Sequence, residues 1–360
     1  MDTRVGKSGN QLMSPFICKG LELRNRVVIS PLCQYSAVDG MPNDWHYVHY
    51  TSRAIGGAGL IIIEITGVEP DARITEDGLG LWSDQHAAAF KRIVDSCHQY
   101  GSKIGIQIAH AGRKSEYLPV PVSSTEKPFD PTFNRPKMLT TDEIKEIVES
   151  FRLAARRAVK AGFDTIEIQG AHGYLIQQFH SPYINDRTDE YGQDLTKFGV
   201  EVIKAVKSEM PVDMPLIMRV SAKEYVAGGY DVDYMKQVCK QYEKAGVDMF
   251  HISSGGEASY EESGMTPRGN PESKQGYQVP FAKSFKQSFD IPIIAVGRIE
   301  DPRFANSLIE NNDADLVAIG RAMLKNPYWP LSAAAELEQP IPTPRQYEAA
   351  FEFKVSYAPQ

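Results

Sequence analysis

Eight short apolar runs, several rich in β-branched residues, punctuate the chain at intervals, and amphipathic stretches separate them. They are Arg26–Pro31 (RVVISP), Leu60–Thr66 (LIIIEIT), Lys103–Ala109 (KIGIQIA), Thr165–Gln169 (TIEIQ), Leu216–Val220 (LIMRV), Met249–Ser253 (MFHIS), Ile293–Val296 (IIAV) and Leu316–Ile319 (LVAI). Near-continuous apolar runs of this length suit parallel strands covered on both faces. The intervening Asp142–Ala161 and Asp231–Ala245 read as helices, and "KAGFD" and "KAGVD" each place a glycine where a helix should stop before the next strand. Strands alternating with helices through 360 residues predict an α/β fold of the (β/α)8 TIM-barrel type, residues 1–360 forming one domain. A doubly wound sheet is the competing architecture, but "SPLCQYS" follows the first strand where G-x-G-x-x-G would stand. The proline-containing stretch from Tyr117 to Lys137 is too long for a turn and is expected to form a lid over the barrel mouth, inserted after the third strand.

The balance of 42% hydrophobic and 24% charged residues is that of a soluble globular protein. A formal net charge of −7 with no Lys/Arg run offers no surface for nucleic acid or anionic lipid. The amino terminus lacks a signal-peptide pattern, and the longest apolar run, Gly59–Ile65, is too short to cross a bilayer. Cys18, Cys33, Cys97 and Cys239 are too scattered for a zinc site, an iron–sulfur cluster or a disulfide framework. A cytoplasmic protein acting on a small molecule, with no membrane or nucleic-acid partner, is the expectation.

Barrel enzymes carry their chemistry at the carboxyl ends of the strands. Those positions hold Ser30–Tyr35, Gln107, His110, Gln169–Tyr174, Arg219, Ser253–Gly256, Gly297–Arg298 and Gly320–Arg321. Gly297–Arg298 ("AVGRI") and Gly320–Arg321 ("AIGRAM") repeat one Gly-Arg pair after the last two strands, where phosphate sites commonly form. Arg219 would bring a permanent cation into the mouth, and burial there demands a carboxylate or an electron-rich ligand. Gln107 could serve a planar heterocycle or satisfy backbone groups. Cys33 is a small buried hydrophobe or a weak donor beside a redox cofactor, and Tyr35 a donor or a packing residue. His46 and His49, one helical turn apart, lack a third metal ligand and are expected on an ordinary helix surface. The carboxylates of "NDRTDEYG" (185–192) are expected to cap and to form salt bridges.

In this order, "LRNRVVISPLCQYS", "HYTSRAIGGAGLIIIE", "GIQIAHAGRK", "EIQGAHGYLIQQF", "NDRTDEYG", "MRVSA", "AVGRI", "ADLVAIGRAML" and "PTPRQYE" resemble the Old Yellow Enzyme family. The branch is that of the bacterial thermophilic-like NADPH dehydrogenases, or ene reductases. The resemblance spans almost the whole chain. It implies FMN as cofactor and NAD(P)H as reductant, with ping-pong hydride transfer to activated alkenes such as enones, and to quinones or nitro compounds. It also implies a homodimer or homotetramer. Ser30, Pro31, Leu32, Cys33, Ile65 and Gln107 would hold the flavin ring, with Arg219 at its N1/O2 edge. Gly297, Arg298, Gly320 and Arg321 would hold the phosphate. Tyr35, Gln169, His172 and Tyr174 would meet the substrate, Tyr174 as its proton donor and His172 as a polarising group.

Three departures stand out. Gln169 occupies the place of a family His or Asn, and is expected to form a modified clamp for the electron-withdrawing group, or else to turn towards backbone groups and leave His172 to act alone. Ala349, in "QYEAAF", stands where an arginine often reaches a neighbouring subunit's site; Arg345 lies four residues earlier. "YGQDLTKFG" replaces the family's "YGGS…NR". A flavin-bound ligand sensor with weak reductase activity is one alternative reading. A flavin-free barrel lyase is another, and would need a Schiff-base lysine or a metal cluster, with Lys114 and Lys223 the lysines near candidate rims.

Overall fold

A computed structural model describes residues 10–259, 261 and 274–352. Eight parallel strands close a barrel: β1 Val27–Ile29, β2 Leu60–Gly67, β3 Lys103–Ala109, β4 Thr165–Gly170, β5 Leu216–Ser221, β6 Met249–Ser253, β7 Ile293–Ala295 and β8 Leu316–Ile319. Each pairs with its neighbours in sequence, and β8 pairs with β1 (Ile319 opposite Ile29) to complete the cylinder. A helix follows each strand: α1 Asp44–Ile55, α2 Asp84–Gln99, α3 Thr141–Ala161, α4 Lys197–Lys207, α5 Val232–Ala245, α6 Val279–Lys286, α7 Pro302–Glu310 and α8 Trp329–Leu337. This is the (β/α)8 architecture expected from the alternation.

Side chains alternate along each strand, so one set faces the helices and the other the lumen. Ile104, Ile106, Ile166, Ile168, Met218, Phe250 and Val317 pack outward in the main core. Val28, Leu60, Ile62, Ile217, Met249, Ile294, Leu316 and Ala318 form a separate cluster inside the barrel. Phe16, Leu21 and Leu23 join it from a short antiparallel hairpin, Phe16–Cys18 with Leu21–Leu23. Each Val, Leu, Ile, Met or Phe side chain among them contributes about 1.5–3 kcal/mol when fully buried.

Helix ends follow local chemistry. Thr140 and Glu143 form a reciprocal capping box at the start of α3, and Gly162 ends it at φ +92°. Asp231 caps α5, and Gly246 (φ +126°) ends it. The first strand is shorter than the apolar run that predicts it: Ser30 N–H still donates to Ile319 O at 3.1 Å, but Pro31 has no N–H to continue the ladder.

His46 and His49 correct the sequence expectation, because both lie on the inward face of α1. His46 is fully buried, its Nδ1 accepting from Asn43 N–H at 3.1 Å, and burial lowers it to about pKa 4. His49 packs edge-on against Tyr50 and is lowered to about 3, first by burial. Among the described residues no group of three His, Cys, Asp or Glu could hold a metal ion, and no helix is long and apolar enough to cross a membrane. In the 185–192 segment Asp189 does cap a short helix, Glu190–Gln193, and pairs with Arg187.

Candidate active site

The lumen is apolar at its lower end and polar at its upper end. On β3 to β6 the inward positions above the apolar layer are Gln107, Glu167, Gln169, Arg219, Ser221, His251 and Ser253, all buried. Register sets Gln107 opposite Glu167, and Arg219 between Gln169 and His251. Gln107 Nε2 donates to Glu167 Oε1 at 2.6 Å, and the other carboxylate oxygen lies 2.8 Å from His251 Nδ1. Arg219 is 7% exposed and its Nε has no hydrogen-bond partner among the described residues. Burial lowers its pKa, and the Glu167 charge opposes that shift.

After β4 the chain turns sharply through His172 at φ +61° and Gly173 at φ +75°. A Cβ on Gly173 would lie 2.3 Å from Gly256 O, so the position requires glycine. His172 N–H is anchored on Ser221 Oγ at 3.1 Å. Gln169 Oε1 accepts from Ala171 N–H at 3.1 Å, and its Nε2 lies 3.3 Å from His172 Nδ1. The amide oxygen is thus turned to the backbone while its N–H₂ end meets the imidazole. His172 Nε2 is 2.7 Å from Ser253 Oγ, whose hydroxyl donates to Gln278 Oε1 at 3.1 Å. Donors and acceptors along this chain are mutually consistent if His172 is neutral with its proton on Nε2. Burial, then Arg219, hold its pKa well below the ordinary value.

These groups border a cavity of about 770 Å³ at the carboxyl ends of the strands. Ser30, Pro31, Leu32, Cys33, Tyr35, Ile65, Gln107, Gln169, His172, Tyr174, Arg219, Gly297, Arg298, Gly320 and Arg321 all line it. His110, also at a strand end, does not: it is buried elsewhere, with Nε2 3.3 Å from Glu69. Cys33 is half-buried, its thiol pushed up to about pKa 12 by burial and by the Glu64 carboxylate. Tyr35 is held at φ +47°, uncommon for a bulky residue. Gly297 takes φ +124°, and a Cβ there would meet Gln278 Nε2 at 2.9 Å.

Other lining residues, Lys114 apart, which the sequence places near a candidate rim, have no strand-end signal in the sequence. Phe129 comes from the 117–137 insertion, which therefore does reach the mouth. Tyr277 and Gln278 precede α6. Lys114 Nζ donates to His172 O at 3.0 Å and sits 4.1 Å from the Phe129 ring centroid; burial lowers it to about pKa 8. Ala349 and Arg345 are exposed and lie outside the cavity lining.

Closed barrel and polar mouth together define a (β/α)8-barrel enzyme with its chemistry at the carboxyl ends of the strands. The model of the NADH:flavin oxidoreductase / NADH oxidase family matches residues 11–339. An NADPH dehydrogenase of Geobacillus thermodenitrificans is 44% identical over 348 residues, covering 95% of this chain and 99% of the relative. One from Clostridium acetobutylicum is 43% identical over 347 residues, with the same coverage. A solved structure of morphinone reductase in complex with tetrahydroNAD superposes with TM-score 0.77 at 28% identity, covering 95% of this chain and 94% of that one. A 2-naphthoyl-CoA reductase complex, 23% identical, shares the fold with TM-score 0.84; the chain covers 52% of its length. The chain belongs to the NADH:flavin oxidoreductase / NADH oxidase family, the Old Yellow Enzyme family. By class it is an FMN-dependent NAD(P)H dehydrogenase.

Proposed function

We propose that this enzyme reduces activated alkenes, enones foremost, with quinones and nitro compounds as further acceptors, by a ping-pong cycle in which NAD(P)H and the acceptor visit one site in turn. The observation that carries the reading is the buried guanidinium of Arg219, its Nε without a hydrogen-bond partner among the described residues, facing a cavity lined at its rim by two Gly-Arg pairs. A cation at one end and anion-binding loops at the other fit an electron-rich ring carrying a phosphate tail. FMN bound there would supply the hydride transfer in both half-reactions.

The protein's own residues supply orientation and charge. Ser30, Pro31, Leu32, Cys33, Ile65 and Gln107 would hold the ring, and Gly297, Arg298, Gly320 and Arg321 the phosphate. Gln169, through its N–H₂, and His172, through an Nε2–H shared with Ser253 Oγ, would hold the acceptor's oxygen; donors of this kind contribute roughly 3–4 kcal/mol each in a transition state. Tyr174, beside them on the cavity wall, would donate the proton to the acceptor's α-carbon, and Tyr35 would help position it. A cytoplasmic homo-oligomer is part of the same reading.

The test is anaerobic. Purified protein reconstituted with FMN should bleach with NADH or NADPH and recover its colour on adding cyclic enones. Bleaching without reoxidation by any enone, quinone or nitroaromatic would favour the ligand-sensor reading. Failure to take up FMN would overturn the flavin assignment.

A further inference from the structure

We infer that Glu167, held in place by His251, is a positioning residue that decides which end of the Gln107 amide faces the cavity and supplies a negative charge that offsets Arg219 on the neighbouring strand. The inference rests on the flavin reading above. Glu167 and His251 are both fully buried within the barrel, at mid-strand positions that line no part of the cavity. Each carboxylate oxygen is committed: one to Gln107 Nε2 at 2.6 Å, the other to His251 Nδ1 at 2.8 Å.

An ionised carboxylate only accepts hydrogen bonds. Gln107 must therefore turn its N–H₂ towards Glu167 and present Oε1 on the side where Gln169 Nε2 approaches to 3.5 Å. By the same logic His251 carries its proton on Nδ1, leaving Nε2, which has no partner among the described residues, as a bare lone pair. Burial and Arg219 both disfavour an imidazolium there. The cluster then holds one cation, Arg219, and one anion, Glu167.

Stability alone does not explain the charges. The layer beneath fills the same lumen with Ile217, Met249 and Ile294, and well-packed apolar groups are commonly at least as stabilising as a buried ion pair. What Glu167 adds over an apolar residue is a fixed amide and a compensating charge directly under the cavity floor.

Glu167→Gln tests this. An amide at 167 can donate or accept, so Gln107 is no longer forced to one orientation, and Arg219 loses its compensating charge. FMN affinity, measured by titration of the apoprotein, should fall about tenfold, the equivalent of one hydrogen bond. The midpoint potential of the bound flavin should shift positive, because an uncompensated guanidinium favours the more negatively charged reduced state. Glu167→Asp, which keeps the charge, should leave the potential near that of the wild type. Wild-type FMN binding with affinity and potential unchanged in E167Q would overturn this inference alone. A wild-type chain that takes up no FMN would overturn the flavin reading and this inference with it. If E167Q does not fold, ¹⁵N shifts of His251 in the wild-type holoprotein decide: a neutral ring protonated on Nδ1 supports the assignment, and an imidazolium or an Nε2–H tautomer overturns it.

Discussion

His172 Nε2 lies 2.7 Å from Ser253 Oγ, and Ser253 in turn donates to Gln278 Oε1 at 3.1 Å, which leaves the serine oxygen free to accept from the imidazole. A histidine read from the sequence as a substrate contact is therefore held in register by two residues from β6 and the loop before α6. Ser253→Ala removes that restraint. A lost buried hydrogen bond is worth about 1 kcal/mol, so kcat/KM for a cyclic enone should fall five- to tenfold. Gln278→Ala should act through the same path, and the double variant should cost little more than either alone. Steady-state kinetics with cyclohexenone checks this; additive losses would mean the two residues act separately.

Gln169 spends its oxygen on Ala171 N–H, which leaves only the N–H₂ end for an acceptor. Gln169→His replaces that flexible neutral amide with a shorter ring donor. Enone kcat/KM should rise about tenfold if the amide is a weakened clamp. Unchanged turnover and unchanged enone affinity would rule out a clamp role for position 169.

Arg113 joins the insertion to the barrel. Its guanidinium donates to Lys127 O, Pro128 O and Glu257 Oε2 at 3.2, 3.0 and 2.9 Å, and both charged side chains are buried. Arg113→Met strands the Glu257 carboxylate and should cost about 3–5 kcal/mol. Loss of the carbonyl anchors beside Phe129 should also raise KM for the acceptor. Denaturant unfolding and enone kinetics on the same preparation measure both; a loss below about 1 kcal/mol would contradict the assigned role.

Glu64 and Glu224 give stability a pH dependence. Burial raises each to about pKa 7 from 4.5, with Glu257 adding to the shift at Glu224. A carboxyl that keeps its proton longer when folded contributes fully below pH 4.5, and that contribution is lost as pH climbs through 7. Each group should therefore remove up to about 3 kcal/mol of unfolding free energy across this window. Urea unfolding at pH 5, 6 and 7 should show a decline that Glu64→Gln and Glu224→Gln each flatten; an undiminished slope in both variants would count against these shifts.

The alternation of apolar runs with amphipathic stretches was enough to read the barrel, because each strand's hydrophobicity reports that helices cover it. Strand ends were equally readable, so Cys33, Gln107, Arg219 and the two Gly-Arg pairs could be named as mouth residues beforehand, and one cavity collects them. Tertiary structure decided what periodicity cannot encode. His110 sits at a strand end yet turns to Glu69, and His46 lies on a helix that packs its histidine face inward. Glu167 meets His251 across 84 positions of sequence, and His172 meets Ser253 across 81. Local sequence chooses which face of its own strand a side chain occupies. Only closure of the barrel, through the register between strands far apart in the chain, chooses which buried donor ends opposite which acceptor.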